Sequence, residues 1–461
     1  MGIAPRRHLV STTATQPSSS VRRRWRRCAT CISIVLVAVA STTFATSHAA
    51  PTARNSCASE HFVGSWFASS SDGIVPVDAN GGVVPTVLRD QTIRSTIAPH
   101  LGGDEFRIRL SNRFGAGPVT FGRVTVTASP TAAPTPLSFN GEPRVTVAAG
   151  EEVLSDPARH PVVAFAPLTV SIHVSGTSAA PSKHWNANAA THLSPTGSGD
   201  LTGRVGNAGF TTRVGSWLYL NGLDVLAPTT NRSVVAFGDS ITDGFVGATP
   251  LSVPADRGIL DTDARYPDQL QRRLDAAGVG LSVLNAGLSS NRLLTSGEPL
   301  MLGPSGLSRF RRDALDQAGV AGVIVQIGIN DLGLPPPASA DQLISGYRRL
   351  IGMARGRGVK IWLGTLLPAS NALVNGTLAP WADDQRRRTN AWIRHQRLAD
   401  GVIDFDRALR DPAAPSQLRT EFASPDSLHP SLAGYRAMAD AIDIDTLAPL
   451  ATSSCESAGR R

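Results

Sequence analysis

From about residue 230 onward the chain repeats one pattern, a short continuous apolar run followed by a stretch of helical character. The runs fall at 234–239, 281–286, 322–329, 360–366 and 402–406. Helices are predicted between them over Tyr266 to Ala277, Ser308 to Gln317, Asp341 to Arg355 and Asp383 to Ala399, with a last one from Ser431 to Ile442. A strand buried on both faces has no polar side to alternate with. Such runs, separated by helices, therefore predict an α/β domain over 229–450, built on a parallel sheet covered on both sides.

Residues 51–228 obey a different period. Phe106-Arg107-Ile108-Arg109-Leu110, Val124-Thr125-Val126-Thr127 and Leu168-Thr169-Val170-Ser171-Ile172-His173-Val174 alternate apolar with polar. Period-2 alternation buries one face and solvates the other, which is the habit of antiparallel sheets. Turn residues at Gly102-Gly103 and Gly115-Ala116-Gly117-Pro118 punctuate these runs, and a β-sandwich is expected. Residues 176–212 are rich in Gly, Ser, Thr and Asn and read as long surface loops. At 461 residues two domains are the natural expectation.

The net charge of +8 is concentrated at the start of the chain. Residues 1–50 hold seven arginines and no acidic residue, so the rest of the chain carries only +1. A body that close to neutral has no general electrostatic reason to bind nucleic acid. Arg22 to Arg27 form a basic segment, Ile32 to Ala40 a short apolar one, and Ser47-His48-Ala49 offers small residues at a cleavage position. This is the layout of a secretory signal over residues 1–50, and the product is expected outside the cell, or in the periplasm of a Gram-negative one. The apolar run is about half of the ~20 residues a membrane span needs, so no stable membrane association is expected. Two cysteines then remain, Cys57 and Cys455, the second in a C-terminal tail over 451–461. In an oxidising compartment they are expected to form one bridge tying the ends together, the alternative being two separate thiols.

The candidate chemistry sits at strand ends. Phe237-Gly238-Asp239-Ser240-Ile241-Thr242-Asp243-Gly244 places a serine where a strand turns toward a helix. In open parallel sheets ligands bind off the carboxyl ends of the strands, and a helix N-terminus there offers unpaired N–H groups. Serine needs a base within hydrogen-bond reach to act as a nucleophile. His429, in Asp426-Ser427-Leu428-His429-Pro430, titrates near neutrality and is the candidate base. Asp426, three residues earlier, is the candidate carboxylate that orients it. Gly287 and Asn330 each follow a strand and are candidate donors to an oxyanion, Gly287 through its backbone N–H and Asn330 through its amide. The remaining histidines show no metal-ligand spacing, and neither metal nor cofactor is expected. Arg386-Arg387-Arg388 reads as a solvated helix face. Trp185, Trp217, Trp381 and Trp392 are expected in packing.

Four segments in this order (the serine block, Asn285-Ala286-Gly287-Leu288-Ser289, Gly328-Ile329-Asn330-Asp331 and Asp-x-x-His) resemble the blocks of the SGNH, or GDSL-type, hydrolase superfamily over about residues 232–446. The resemblance implies a three-layer α/β/α, flavodoxin-like fold without a metal. It also implies a serine esterase that uses Ser240, His429 and Asp426, with Ser240 N–H, Gly287 N–H and Asn330 as oxyanion donors. Asn291-Arg292-Leu293-Leu294, followed by Arg309-Phe310 and Arg312-Asp313, is similar to a secreted arylesterase and acylhydrolase subgroup that carries an N-terminal β-domain.

The expected substrate is a small-molecule or polysaccharide ester of short acyl chain, with O-acetyl groups as one candidate and aryl esters or lipids as others. An acyltransferase would use the same site with a different acceptor. A carbohydrate-binding protein with a decayed hydrolase domain is the non-enzymatic alternative. Oligomeric state is not legible in the sequence.

Overall fold

A computed structural model describes residues 59–79, 81–129, 131–249, 260–297 and 303–452. The expected signal segment, Cys57 and Cys455 lie outside the described residues.

The C-terminal half is built on a five-stranded sheet, all parallel: Arg232–Gly238, Leu281–Gly287, Val320–Gln326, Lys360–Gly364 and Gly401–Ile403. Numbered along the chain, their spatial order is 2-1-3-4-5. The first strand therefore lies inside the sheet, and the reversal of strand order falls beside it, where α/β sheets bind ligands. Val234, Val235, Ala236 and Phe237 are all fully buried, which explains their unbroken apolar run. One core on one side of the sheet gathers Val235, Phe237, Val323 and Leu343; a second, on the other, gathers Val234, Ala236, Leu270 and Tyr435. The helices Tyr266–Ala276, Ala340–Gly356, Ala382–His395 and Leu432–Asp440 supply the covering faces. Ser339 and Gln342 form a capping box at the start of the second of these.

Two of the sequence expectations for this half change. The helix foreseen from Ser308 to Gln317 is a short α-helix, Gly306–Phe310, that widens into a π-turn at Arg311–Leu315. The arginine run is not uniformly solvated either. Arg386 is buried and pairs with Asp383 and with Asp406 at 2.7 Å each. The Asp406 carboxylate comes from another element, so the run alone could not reveal the pairing.

Besides a two-stranded pair, Lys183–His184 with Trp217–Leu218, the N-terminal half holds two antiparallel sheets on one shared core. One includes Glu60–Phe67, Leu220–Pro228 and Gly103–Ser111; the other is centred on Val87–Ile97, Leu168–Ala179 and Val119–Thr127. Phe106, Ile108 and Val225 from the first meet Ile93, Val124 and Ile172 from the second. Val87–Ile97 escapes a pattern search because it buries polar residues. Arg94 donates to Ser171 Oγ at 2.9 Å, and Thr92 donates to the Gly199 carbonyl at 3.0 Å.

The described residues of both halves fall in one compact unit. The reading of 176–212 as surface loops fails where that unit closes. Ser182 to Ala187 are buried, and this stretch faces the α/β half. The stretch is polar because its side chains bond across the contact.

Candidate active site

The strand Arg232–Gly238 runs into Asp239, whose carboxylate accepts the Ile241 N–H at 3.0 Å and caps the following turn. That turn, Ser240–Asp243, is one helical turn long and ends at Gly244 with φ 83°. It is too short for an appreciable macrodipole, so its use is to present Ser240 at a fixed angle. Burial pushes the Asp239 carboxyl up to about 7 despite its bond from Ile241.

His429 reaches the same point from the far end of the sequence. Its Nε2 lies 2.8 Å from Ser240 Oγ, and its Nδ1 lies 2.6 Å from Asp426 Oδ2. An ionised carboxylate can only accept, so Nδ1 carries a proton and a neutral ring turns its Nε2 lone pair to the serine hydroxyl. The other oxygen of Asp426, Oδ1, accepts from Ser424 Oγ, Leu428 N and His429 N at 2.8, 3.0 and 2.9 Å. These bonds fold the loop in which Ser427 takes a left-handed φ of 57°. Burial raises the Asp426 carboxyl, but the His429 interactions and the loop N–H groups outweigh it and hold it below the usual carboxylate range.

Asn330 is the second residue of the one-turn helix Ile329–Gly333. Its amide donates to the Asn291 carbonyl at 3.0 Å, and its Oδ1 accepts from Asn375 Nδ2 at 3.2 Å. Asp331 fixes the neighbouring loop by accepting from Leu293 N and Leu294 N at 2.7 and 2.9 Å; burial moves it up to about 6.

Ser240, Asn330 and His429 share a cleft of about 230 Å³ with Trp185, Phe245, Ser289, Ser290, Leu334, Val374, Asn375 and Leu428. Gly287 does not line it. Its N–H donates to Asn285 Oδ1 at 2.8 Å, and a Cβ there would stand 2.2 Å from Asp243 N. The expectation of Gly287 as an oxyanion donor is therefore corrected: glycine is needed because the serine turn packs against it. From this loop Ser289 and Ser290 line the cleft, Ser290 with a left-handed φ of 61°. Sequence reasoning missed it, since glycine rather than serine is the usual signal for a left-handed position.

Phe245 carried no sequence signal, Trp185 was expected only in packing and Arg309 only as part of the resemblance, yet all three hold places at the site. Phe245 covers the His429 ring at 4.7 Å between centroids, and Trp185 of the β-half stacks on Phe245 at 5.9 Å and 17°. Arg309, fully buried, lies beneath the site and bonds the Gly238 and Ala286 carbonyls at the ends of two strands. Trp217 and Trp392 pack as expected, whereas Trp381 is 44% exposed, its indole N–H held by the Leu332 carbonyl. Among the described residues no cluster of three or more His, Cys, Asp and Glu could hold a metal ion, and no helix is long and apolar enough to cross a membrane.

This arrangement can pass a proton from a hydroxyl to an imidazole, the requirement of acyl transfer through serine. No curated protein matches the chain. Among solved structures it is similar to the carbohydrate acetylesterase Est24 from Sinorhizobium meliloti, at 20% identity and TM-score 0.36, over 48% of this chain and all of that one. It is also similar to a carbohydrate esterase family 2 enzyme with a carbohydrate-binding domain from Corynascus thermopiles, at 14% identity and TM-score 0.35, over 85% of this chain and 98% of that one. A lipase/acylhydrolase from Enterococcus faecalis matches at 20% identity and TM-score 0.32, over 46% and 92% of the two chains. Scores this low bear no weight. The family model is the informative comparison: residues 236–437 match that of the GDSL-like Lipase/Acylhydrolase family.

Proposed function

We propose that the chain is an exported serine esterase cleaving short-chain carboxylic esters, O-acetyl groups on polysaccharide among them. The observation that carries this reading is the contact of Ser240 Oγ with His429 Nε2 at 2.8 Å, backed by Asp426 at 2.6 Å. In the first step Ser240 Oγ attacks the ester carbonyl while its proton passes to His429. The tetrahedral oxyanion is met by the Ser240 N–H, by the Ser290 N–H and by the Asn330 amide N–H not engaged with Asn291. The C–O bond to the alcohol then breaks as His429 returns the proton to the leaving oxygen. Water, deprotonated by the same imidazole, cleaves the acyl-enzyme and regenerates the hydroxyl. A cleft of about 230 Å³ between Trp185, Phe245, Leu334 and Leu428 supports a small acyl group. Export rests on the basic and apolar segments of residues 1–50.

A chain-length series of nitrophenyl esters, run beside acetylated xylan with wild type and Ser240→Ala, tests the reading. The expected result is activity falling with acyl length and a loss of at least about a thousandfold in Ser240→Ala. Full activity in that variant overturns it.

A further inference from the structure

The segment Lys183 to Asn188 of the β-half starts as a two-residue strand, Lys183–His184, and then bends, with Asn188 at φ 50°. Three residues of this segment meet the turn that carries Ser240. His184 Nε2 lies 2.9 Å from Asp243 Oδ1. Asn186 Nδ2 lies 3.5 Å from the Asp243 carbonyl, and Asn188 Nδ2 donates to the Gly244 carbonyl at 3.0 Å. His184 is buried, and its other nitrogen, Nδ1, lies 2.7 Å from the Ser69 carbonyl. Its Nε2 also faces the Asn186 carbonyl at 3.0 Å. Every partner of the ring is an acceptor, so both nitrogens must donate and the ring is an imidazolium. It forms a buried ion pair with Asp243.

Asp243 passes this anchorage into the cleft. Its second oxygen, Oδ2, accepts from Ser289 Oγ at 2.5 Å, and Ser289 precedes Ser290 on the cleft wall. A hydrogen-bonded chain thus runs from Ser69 through His184 and Asp243 to Ser289. It clamps the turn carrying Ser240 against the loop carrying Ser290. A second cross-connection lacks any such reach: His100 of the β-half bonds the Val283 carbonyl at 2.6 Å and Asp268 at 3.1 Å, and none of the three lines the cleft.

We infer that His184, Asn186 and Asn188 are positioning residues for ester cleavage, so that the β-half completes the catalytic centre instead of serving only as a separate binding module. The inference rests on the proposed esterase reading. His184 touches no reacting atom; it fixes the distance between nucleophile and oxyanion donors. A misplacement on the order of 1 Å between such groups costs about a hundredfold in rate.

The test uses the full chain and nitrophenyl acetate. His184→Ala is expected to lower kcat by about ten- to a hundredfold with KM little changed, and His184→Gln, which can still donate to Asp243, to recover part of it. Asn186→Ala and Asn188→Ala should show smaller losses of the same kind. His100→Ala is the control: it should lower Tm while kcat per folded molecule stays at the wild-type value. The inference is overturned if His184→Ala behaves like His100→Ala. Should His184→Ala not fold, Ser289→Ala decides from the other end of the chain of bonds. A fall in kcat at constant KM supports the inference, whereas an unchanged kcat, with or without a raised KM, overturns it. Ser240→Ala separates the two levels. An inactive Ser240→Ala beside a fully active His184→Ala sinks only this inference, and an active Ser240→Ala sinks the esterase reading itself.

Discussion

Replacing Arg309 with lysine keeps the charge and removes the geometry. The guanidinium donates to Asn291 Oδ1 at 2.9 Å, Ala286 O at 2.9 Å, Gly238 O at 2.7 Å, Ser69 Oγ at 3.1 Å and Asp313 Oδ2 at 3.2 Å. It also lies 4.1 Å above the Phe237 ring. A lysine ammonium has three donors radiating from one atom, so it leaves at least two of these buried acceptors without a partner. At about 1–3 kcal/mol for each orphaned group the expected destabilisation is about 4 kcal/mol. Unfolding entropy of about 2.1 cal/mol/K per residue over roughly 400 residues converts that to a fall in Tm of about 5 °C. Activity should fall as well, because Arg309 holds the Asn291 side chain while the Asn291 carbonyl anchors Asn330. Differential scanning calorimetry on Arg309→Lys, paired with kcat on nitrophenyl acetate, provides the check. A Tm shift under about 1 °C, the size of an ordinary surface substitution, would refute the argument that this arginine is the keystone beneath the strand ends.

Two more outcomes follow from the same geometry. Gly287→Ala places a methyl 2.2 Å from Asp243 N, so the serine turn must move. A shift on the order of 1 Å should drop kcat about a hundredfold, although the Gly287 N–H remains in place. Wild-type kcat in that variant would show that the turn can yield. Asp239, with its folded pKa raised to about 7, binds a proton in the native state that the unfolded chain has already lost. Its contribution to stability therefore declines as pH rises from the ordinary carboxylate value toward 7, and the Tm of Asp239→Asn relative to wild type should climb across that interval. A difference that is flat with pH would contradict the burial argument.

The parallel sheet was legible because its strands are covered on both faces and so carry unbroken apolar runs, as in Val234 to Phe237. The residues at the strand ends were legible as chemical types, and the structure brings Ser240, Asn330, Asp426 and His429 together around one cleft. Gly287 misled because a glycine in a loop signals close approach without saying what approaches; here it is the backbone of Asp243 and not a ligand. Val87–Ile97 and Lys183 to Asn188 were hidden for a common reason. Their buried polar side chains are satisfied by partners about 60 to 110 residues away, such as Asp243 for His184 and Gly199 for Thr92, and local composition records only the polarity.

The two oxygens of Asp426 carry different loads, one shaping the hairpin-like loop and the other steering the imidazole. Acidification that neutralises this single group would therefore collapse architecture and proton relay at one stroke. Because the group ionises below the ordinary carboxylate range, both survive at pH values where unpaired carboxylates have begun to take up protons.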